Sequence, residues 1–187
     1  MATITAPVSQ RSERLTYDDL KNIPPDLNRY ELIEGELFVA PAPNTEHQRK
    51  GFRVAKRVSD HVEKNDLGEV FIAPCDVVLA PGTVLEPDII FVSKARKSII
   101  KEGCIEGAPD LVVEVVSDSS RTIDRFVKRD RYAEHGVPEY WLLDPFEPRI
   151  EVLRLEAGKY RLVGSFGPKD TLESPTFPGF RLPLASL

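Results

Sequence analysis

Two acidic residues interrupt apolar stretches of the sequence. Asp88 lies in VLEPDIIFVS at 84–93, and Glu114 lies in GAPDLVVEVVS at 107–117. A lone carboxylate buried among Ile, Val and Leu is costly unless it is paired or binds a metal ion. Because both segments are typical of strands, Asp88 and Glu114 on neighbouring strands of one sheet would form a candidate divalent-metal site.

Three further residues could belong to this site. Asp76 lies in an apolar segment just after Pro74, where a strand bulge and a local hydrogen bond would also account for it. His47 falls near the apolar face of a predicted helix, either as a buried histidine held by a backbone carbonyl or as a site residue reaching the strand ends. Glu34 lies at a predicted hairpin turn, where a solvated position is the simpler interpretation.

A catalytic cation would have to come from another element. Side chains at 112, 114 and 116 share one face of a strand, and the position two after Glu114 is Val116. Asp124, Lys128 and Tyr132 form a polar stripe on the helix predicted to follow. On a regular α-helix this stripe does not point squarely at the sheet, so the spacing favours a solvated Asp124–Lys128 pair.

The same helix is locally basic. Two acids are outnumbered there by five basic residues, namely Arg121, Arg125, Lys128, Arg129 and Arg131. A contact to a phosphate backbone requires such a patch, because the net charge of −5 supplies no overall positive field. Many solvated helices have the same composition, and the charges alone leave both interpretations open.

The elements that must position these residues alternate between strands and helices. Continuous burial is expected for the strand at 111–116, which should lie centrally and be covered on both faces. A strand, a helix and a strand form a βαβ unit, so the strands at 111–116 and 139–143 should be parallel. The remaining predictions are a capped helix at 16–20, a hairpin at 29–41, a helix that starts at 43–45 and runs to about 65, a strand at 69–80 interrupted at Pro74, a strand at 84–92, a helix capped at 117–120 that runs to about 135, and a hairpin at 150–166. Alternation predicts that Tyr30, Leu32, Leu37 and Val39 are the inward positions of the first hairpin. The helical patterns predict that Phe52 and Phe126 face the core and that His61 is solvated.

Composition limits the class of protein. A length of 187 residues with 41% hydrophobic and 29% charged residues suits one globular domain, expected at 15–187 after a flexible arm at 1–14. Cys75 and Cys104 match neither a disulfide framework nor zinc spacing, which indicates reduced thiols. No segment has the length and apolarity of a signal peptide or membrane span, so we expect a cytoplasmic protein without membrane contact.

Six motifs together resemble a known family. They are YELIEGEL at 30–37, PNTEHQ at 43–48, EPDIIFVS at 86–93, GAPDLVVEVVS at 107–117, DRFVKRDRYAEHGVPEYWLLDP at 124–145 and PKDTLESPTFPGF at 168–180. In this order the chain resembles the Uma2 family of restriction endonucleases, which is abundant in cyanobacteria and belongs to the PD-(D/E)XK nuclease superfamily. A Pro-Asp pair by itself would say little, since another occurs at 109–110.

The resemblance implies an α/β fold with a restriction-endonuclease-like core. A mixed β-sheet flanked by helices would carry an N-terminal and a C-terminal β-hairpin. The implied activity is hydrolysis of DNA phosphodiester bonds with Mg²⁺ or Mn²⁺. Cores of this kind often act in pairs to cut both strands, so a homodimer is a reasonable expectation.

The resemblance also assigns roles to residues. Asp88 and Glu114 would ligate the metal, helped by the backbone carbonyl of Val115. The superfamily lysine would have moved from the strand to the helix, where Lys128 matches it and would position the attacking water or stabilise charge on the phosphate. His47 could orient a ligand carboxylate or a water. The alternative is an inactive nuclease-fold module that binds metal or nucleic acid, consistent with the displaced lysine and the acidic net charge.

Overall fold

The computed structural model describes residues 14–24, 26, 28–117, 123–144, 146–147 and 149–187. In chain order the helices and strands are α1 (Tyr17–Lys21), β1 (Arg29–Ile33), β2 (Glu36–Ala40), α2 (Thr45–Lys64), β3 (Gly68–Ile72), β4 (Asp76–Ala80), β5 (Thr83–Leu85), β6 (Ile89–Ser93), a 3₁₀ helix (Lys94–Ile99), β7 (Cys104–Glu106), β8 (Leu111–Val115), a π-helical turn (Ile123–Lys128), α3 (Arg129–Glu134), β9 (Glu139–Asp144), β10 (Arg149–Glu156), β11 (Lys159–Phe166), β12 (Thr171–Glu173), β13 (Arg181–Pro183) and a 3₁₀ helix (Leu184–Ser186).

The larger sheet has six strands in the order β11-β10-β9-β8-β6-β3. Its β8–β9 pair is parallel and the other pairs are antiparallel, which confirms the predicted mixed sheet. Every residue of β8 is buried, as expected for a central strand covered on both faces. Val113 and Val115 pack into the core beneath α2, whereas Val112 and Val116 pack with Tyr132 on the opposite face.

The second sheet has five strands in the order β2-β1-β5-β4-β7. The strands predicted at 69–80 and 84–92 each divide between the two sheets. The predicted interruption at Pro74 is confirmed, but the prediction of one strand at 84–92 is wrong. The chain leaves the larger sheet at Pro74 and returns to it after Pro87. Proline lacks the backbone N–H that hydrogen bonding between strands requires, so the chain can leave one sheet and join the other at each proline. Asp88 lies directly at this crossing.

The first long helix, α2, begins after Asn44, whose side chain accepts a 2.9 Å hydrogen bond from the His47 amide. Its buried side comprises His47, Val54, Ala55, Val58 and Val62. Phe52, predicted to face the core, is 65% exposed.

His61 was predicted to be solvated, but it is half-buried. Its ring makes edge contacts with Phe177 and Phe180 of the C-terminal tail. The tail packs over α2 from a distant part of the sequence, which the helical pattern alone does not reveal.

Both predicted hairpins form, as β1–β2 and β10–β11. In β2, however, Leu37 and Val39 are 40% and 54% exposed, so the prediction that they point inward is wrong. The inward residue is Phe38, which packs against the core cluster of Val112 and Tyr132. Phe38 and Ala40 form the more buried face of β2.

Several sequence predictions concern residues that the structure does not describe. These are the arm at 1–14 apart from Arg14, most of the helix cap at 117–120, and Arg121. Within the described part of the chain, no helix combines the length and apolarity that crossing a membrane requires. Cys75 is partly buried and Cys104 is buried, and both are free thiols.

Candidate active site

A cleft of about 370 Å³ lies where β1, β2 and the first turn of α2 approach the larger sheet. Asp88 and Glu114, which come from the sheet crossing and from β8, both line this cleft. Several described residues that carry charge or polar groups also line it, namely Arg29, Glu31, Asn44, His47, Ser117, Asp124 and Lys128. The structure thus brings together all four side chains singled out from the sequence for catalysis.

Both carboxylate oxygens of Asp88 are engaged. Oδ1 accepts a hydrogen bond from Arg29 Nη1 at 3.0 Å. Oδ2 accepts one from the Val115 amide at 2.7 Å and lies 3.3 Å from His47 Nε2. Burial alone would raise the pKa of Asp88, but the hydrogen bond from His47 and the charge of Arg29 lower it below its usual range. Asp88 is therefore held as a carboxylate, the form that ligates a cation.

Val115 contributes through its backbone. In an extended strand the N–H and C=O of one residue point to the same side, and the Val115 amide points at Asp88. Its carbonyl oxygen is therefore directed to the same edge of β8 as the Asp88 carboxylate. This is the orientation that the predicted carbonyl ligand requires.

Glu114 and Lys128 form the buried centre of the cleft. Lys128 Nζ lies 3.2 Å from Glu114 Oε1, 2.8 Å from Glu31 Oε1 and 3.4 Å from Asp124 Oδ1. The Tyr132 hydroxyl donates a 2.8 Å hydrogen bond to Glu114 Oε1. Asp124, Lys128 and Tyr132 are all buried, so the prediction of a solvated polar stripe is wrong.

The reason lies in the shape of the helix. Residues 123–128 form a π-helical turn, which is wider than an α turn, before α3 continues as a regular α-helix. A step of four residues rotates a side chain by less than a full turn in a π-helix and by more than a full turn in an α-helix. The step from Asp124 to Lys128 is of the first kind and the step from Lys128 to Tyr132 is of the second, so the two deviations have opposite signs. Asp124, Lys128 and Tyr132 consequently stay on one face and point inward. Phe126, predicted to cover the sheet, is instead 56% exposed.

The described residues around the cleft carry more negative than positive charge. Among the described residues that line it, Arg29 and Lys128 are the permanent cations. The carboxyl groups that contact them belong to Glu31, Glu86, Asp88, Glu114 and Asp124.

This surplus of acid raises two pKa values. Burial, only partly offset by Lys128, raises the pKa of Glu114 well above its usual range, and the nearby acids raise it further. Burial would lower the pKa of Lys128, but Glu114, Glu31 and Asp124 together raise it well above its usual range. Lys128 is therefore an ammonium, and an added divalent cation would reduce the charge imbalance.

Sequence reasoning missed two members of the site, both on β1. Glu31 Oε1 accepts hydrogen bonds from the Glu86 amide at 2.8 Å and lies within reach of Lys128. Arg29 Nε donates a 2.6 Å hydrogen bond to Glu86 Oε1 in addition to its contact with Asp88. The sequence did contain an indication of them, because alternate residues of a strand share a face and the charged residues 29 and 31 therefore point to the same side. This charged face was overlooked because Tyr30 and Leu32 were predicted to form the only buried face of the strand.

Other charged candidates lie elsewhere. Asp76 begins β4 in the second sheet and does not line the cleft, and burial raises its pKa. Glu34 is exposed at the β1–β2 turn, where it pairs with Arg131.

The basic residues between 125 and 131 largely form ion pairs with acidic residues of the same chain. Arg125 pairs with Asp144 and Glu151, while Arg129 pairs with Asp130. Together with the burial of Lys128 and the Arg131 pair, these contacts remove most of the predicted basic patch among the described residues.

The donor chemistry of the cleft fits Mg²⁺. Two carboxylates and a backbone carbonyl are hard oxygen donors, and Mg²⁺ characteristically keeps several waters and uses only one or two protein carboxylates. Within the described residues, no group of three or more His, Cys, Asp or Glu side chains is arranged to hold a metal ion. The described residues therefore do not form a closed protein cage for a metal ion.

Comparison with known proteins identifies the family of the chain. The model of the Uma2 family, described as "Putative restriction endonuclease", matches residues 16–185. The chain belongs to the Uma2 family. Membership supports a nuclease function, and no curated protein matches the chain.

A solved structure has the same fold as this Uma2 protein. It is a putative nuclease belonging to DUF820 from Anabaena variabilis ATCC 29413, with a TM-score of 0.73. The match covers 91% of this chain and 96% of that chain at 20% sequence identity. The likeness supports the restriction-endonuclease-like α/β fold expected from the sequence.

Proposed function

We propose that this protein is a metal-dependent endonuclease that hydrolyses DNA phosphodiester bonds in the cleft around Asp88. The observation that carries the proposal is the meeting of Asp88, Glu114 and the buried Lys128 in one cleft, from three separate elements. An ammonium in the same cleft as two carboxylates that could ligate a metal ion suits phosphoryl transfer, in which negative charge develops on the phosphate oxygens.

Each side chain has a distinct role in the proposal. Asp88, Glu114 and the Val115 carbonyl would hold Mg²⁺ or Mn²⁺, and His47 would keep the Asp88 carboxylate in position. Lys128 would orient the attacking water or stabilise charge on the phosphate. When bound, the divalent ion supplies positive charge next to the scissile phosphate. Tyr132 would fix Glu114 by donating its hydroxyl hydrogen bond.

The ammonium of Lys128 is already committed to three carboxylates. Asp88 and Glu114 would hold the divalent ion, whose charge would offset part of the acidity that surrounds Lys128. The ammonium would then be able to share a hydrogen with a phosphate oxygen or a water in the cleft. A lysine has three such donors, so it can keep Glu31 as an anchor while it does so.

Plasmid nicking tests the proposal directly. Supercoiled DNA is incubated with wild-type protein and with Asp88→Asn, Glu114→Gln and Lys128→Met, in Mg²⁺ and in EDTA. We expect Mg²⁺-dependent nicking by the wild type and a loss of about a hundredfold or more in each variant. Circular dichroism and thermal unfolding verify that each variant is folded.

Asp110 offers a matched control, because it also follows a proline but lies outside the cleft. Its Oδ2 accepts a 2.7 Å hydrogen bond from the Ser93 amide. Asp110→Asn should nick DNA at the wild-type rate. Equal nicking by Asp88→Asn and Asp110→Asn would refute the assignment. Mn²⁺ binding by calorimetry without nicking of DNA would instead favour the inactive binding module.

A further inference from the structure

Arg29 lines the cleft together with Asp88 and contacts it directly. Its Nη1 donates to Asp88 Oδ1 at 3.0 Å, and its side chain is only 18% exposed. The other two nitrogens are anchored on Glu86, with Nε 2.6 Å from Oε1 and Nη2 2.7 Å from the backbone carbonyl oxygen. One edge of the guanidinium is thus fixed, and the remaining nitrogen meets the candidate metal ligand.

The hydrogen bonds of Asp88 indicate where a cation would enter. A carboxylate oxygen accepts about two hydrogen bonds, and Oδ2 already faces both the Val115 amide and His47 Nε2. Oδ1 faces Arg29 and has capacity for a further partner. A divalent ion ligated by Asp88 would therefore share Oδ1 with the guanidinium or replace it, and the two positive charges would repel each other.

We propose that Arg29 neutralises Asp88 in the metal-free protein and binds the substrate phosphate once a divalent ion has taken its place. This inference rests on the proposed function. The guanidinium needs only to release Oδ1, because Glu86 holds its other nitrogens. A planar guanidinium matches the geometry of phosphate oxygens, and Arg29 lines the same cleft as Lys128. Arg29 thus opposes metal binding and favours substrate binding.

A measurement of metal affinity distinguishes this role from one in which Arg29 only holds the Asp88 carboxylate in position. Calorimetric titration with Mn²⁺ is carried out on metal-free wild type, Arg29→Met, Arg29→Gln and Arg29→Lys. Loss of the competing charge should tighten Mn²⁺ binding by about tenfold or more in Arg29→Met and Arg29→Gln. Arg29→Lys keeps the charge and should stay near the wild-type affinity. Gln also retains donors for Asp88 and Glu86, so it serves if Met impairs folding.

Arg125 provides a matched control. It also bridges two carboxylates, Asp144 and Glu151, and is 26% exposed, but it does not line the cleft. Arg125→Met should leave the Mn²⁺ affinity within about twofold of the wild type.

Substrate binding is measured by fluorescence anisotropy of a labelled DNA duplex with Ca²⁺, which occupies oxygen sites. Ca²⁺ should tighten DNA binding by the wild type, and Arg29→Met should lose about tenfold or more in DNA affinity under the same conditions. The opposite signs of the two changes, tighter for metal and weaker for DNA, are specific to the proposed exchange.

The outcomes separate the two proposals. Wild-type protein that binds Mn²⁺ and nicks DNA, combined with unchanged or weaker Mn²⁺ binding in Arg29→Gln, overturns the role of Arg29 alone. Unchanged DNA affinity in Arg29→Met overturns it as well. Wild-type protein that neither binds Mn²⁺ nor nicks DNA overturns the proposed function, and the Arg29 exchange with it.

Discussion

Replacing Lys128 with Met tests the charge balance of the site most directly. The ammonium lies within 3.4 Å of carboxylate oxygens from Glu31, Glu114 and Asp124, and the lysine side chain is 6% exposed. Methionine preserves the volume but leaves these acids without their common cation. Breaking a buried ion pair from one side costs about 3–5 kcal/mol, so we expect Lys128→Met to reduce the free energy of unfolding by that amount at pH 8.

The loss should depend on pH with a defined sign. The pKa of Glu114 is already raised in the folded protein, and removal of the ammonium raises it further. A carboxyl group whose folded pKa lies above its unfolded value contributes full stability below the unfolded pKa of about 4.3, and that stability is lost as pH rises. Relative to wild type, Lys128→Met should therefore lose up to about 1.4 kcal/mol per pH unit for one such group, over the pH range in which Glu114 is ionised in the wild type but still protonated in the variant.

Urea unfolding followed by tryptophan fluorescence measures the effect. Trp141 is the single tryptophan and is fully buried, so its emission reports loss of the core. Lys56→Met is the matched control, because Lys56 pairs with Asp60 four residues away at 60% exposure. Its change should stay below about 0.5 kcal/mol. A loss under about 1 kcal/mol in Lys128→Met, constant from pH 5 to pH 8, would refute the counter-ion role of Lys128.

Three further predictions concern the scaffold. In Glu139→Ala the carboxylate that accepts four hydrogen bonds is lost, one of 2.6 Å from the Trp141 indole and three from the C-terminal tail. The urea midpoint should fall by the equivalent of about 3 kcal/mol, and a loss below about 1 kcal/mol would contradict this. In Gly68→Ala the new Cβ would lie 2.1 Å from the Val92 carbonyl oxygen. We expect thermal unfolding to show that the free energy of unfolding falls by about 2 kcal/mol, and an unchanged value would contradict this. Phe52→Ser, at a side chain 65% exposed, should alter the unfolding free energy by less than about 0.5 kcal/mol, and a larger loss would mean that Phe52 is buried in solution.

Local patterns were sufficient for most elements. The cap of α2, the continuous apolar run of β8 and the parallel β8–β9 pair were all predicted correctly, because each depends on residues close in sequence. The strand at 69–80 was predicted with an interruption at Pro74, whereas the strand at 84–92 was predicted as one unit. Apolar periodicity continues across both prolines, and it contains no information about which sheet each half joins.

The residues of the site were only partly visible in the sequence. Asp88 and Glu114 stood out because a carboxylate in an apolar run calls for a partner. Lys128 was assigned by family resemblance, since the regular helical wheel favoured a solvated position. Arg29 and Glu31 were missed because their strand has two buried faces.

The sequence by itself determined the central strand and the two carboxylates, since these follow from polarity patterns over a few residues, and its resemblance to the Uma2 family supplied the fold class. Only the tertiary structure decided what those carboxylates meet. The π-helical turn rotates Lys128 inward, and the sheet crossing at Pro87 brings Asp88 to Arg29 of β1. Both outcomes depend on contacts between residues far apart in the chain, where burial and charge compensation outweigh local preference.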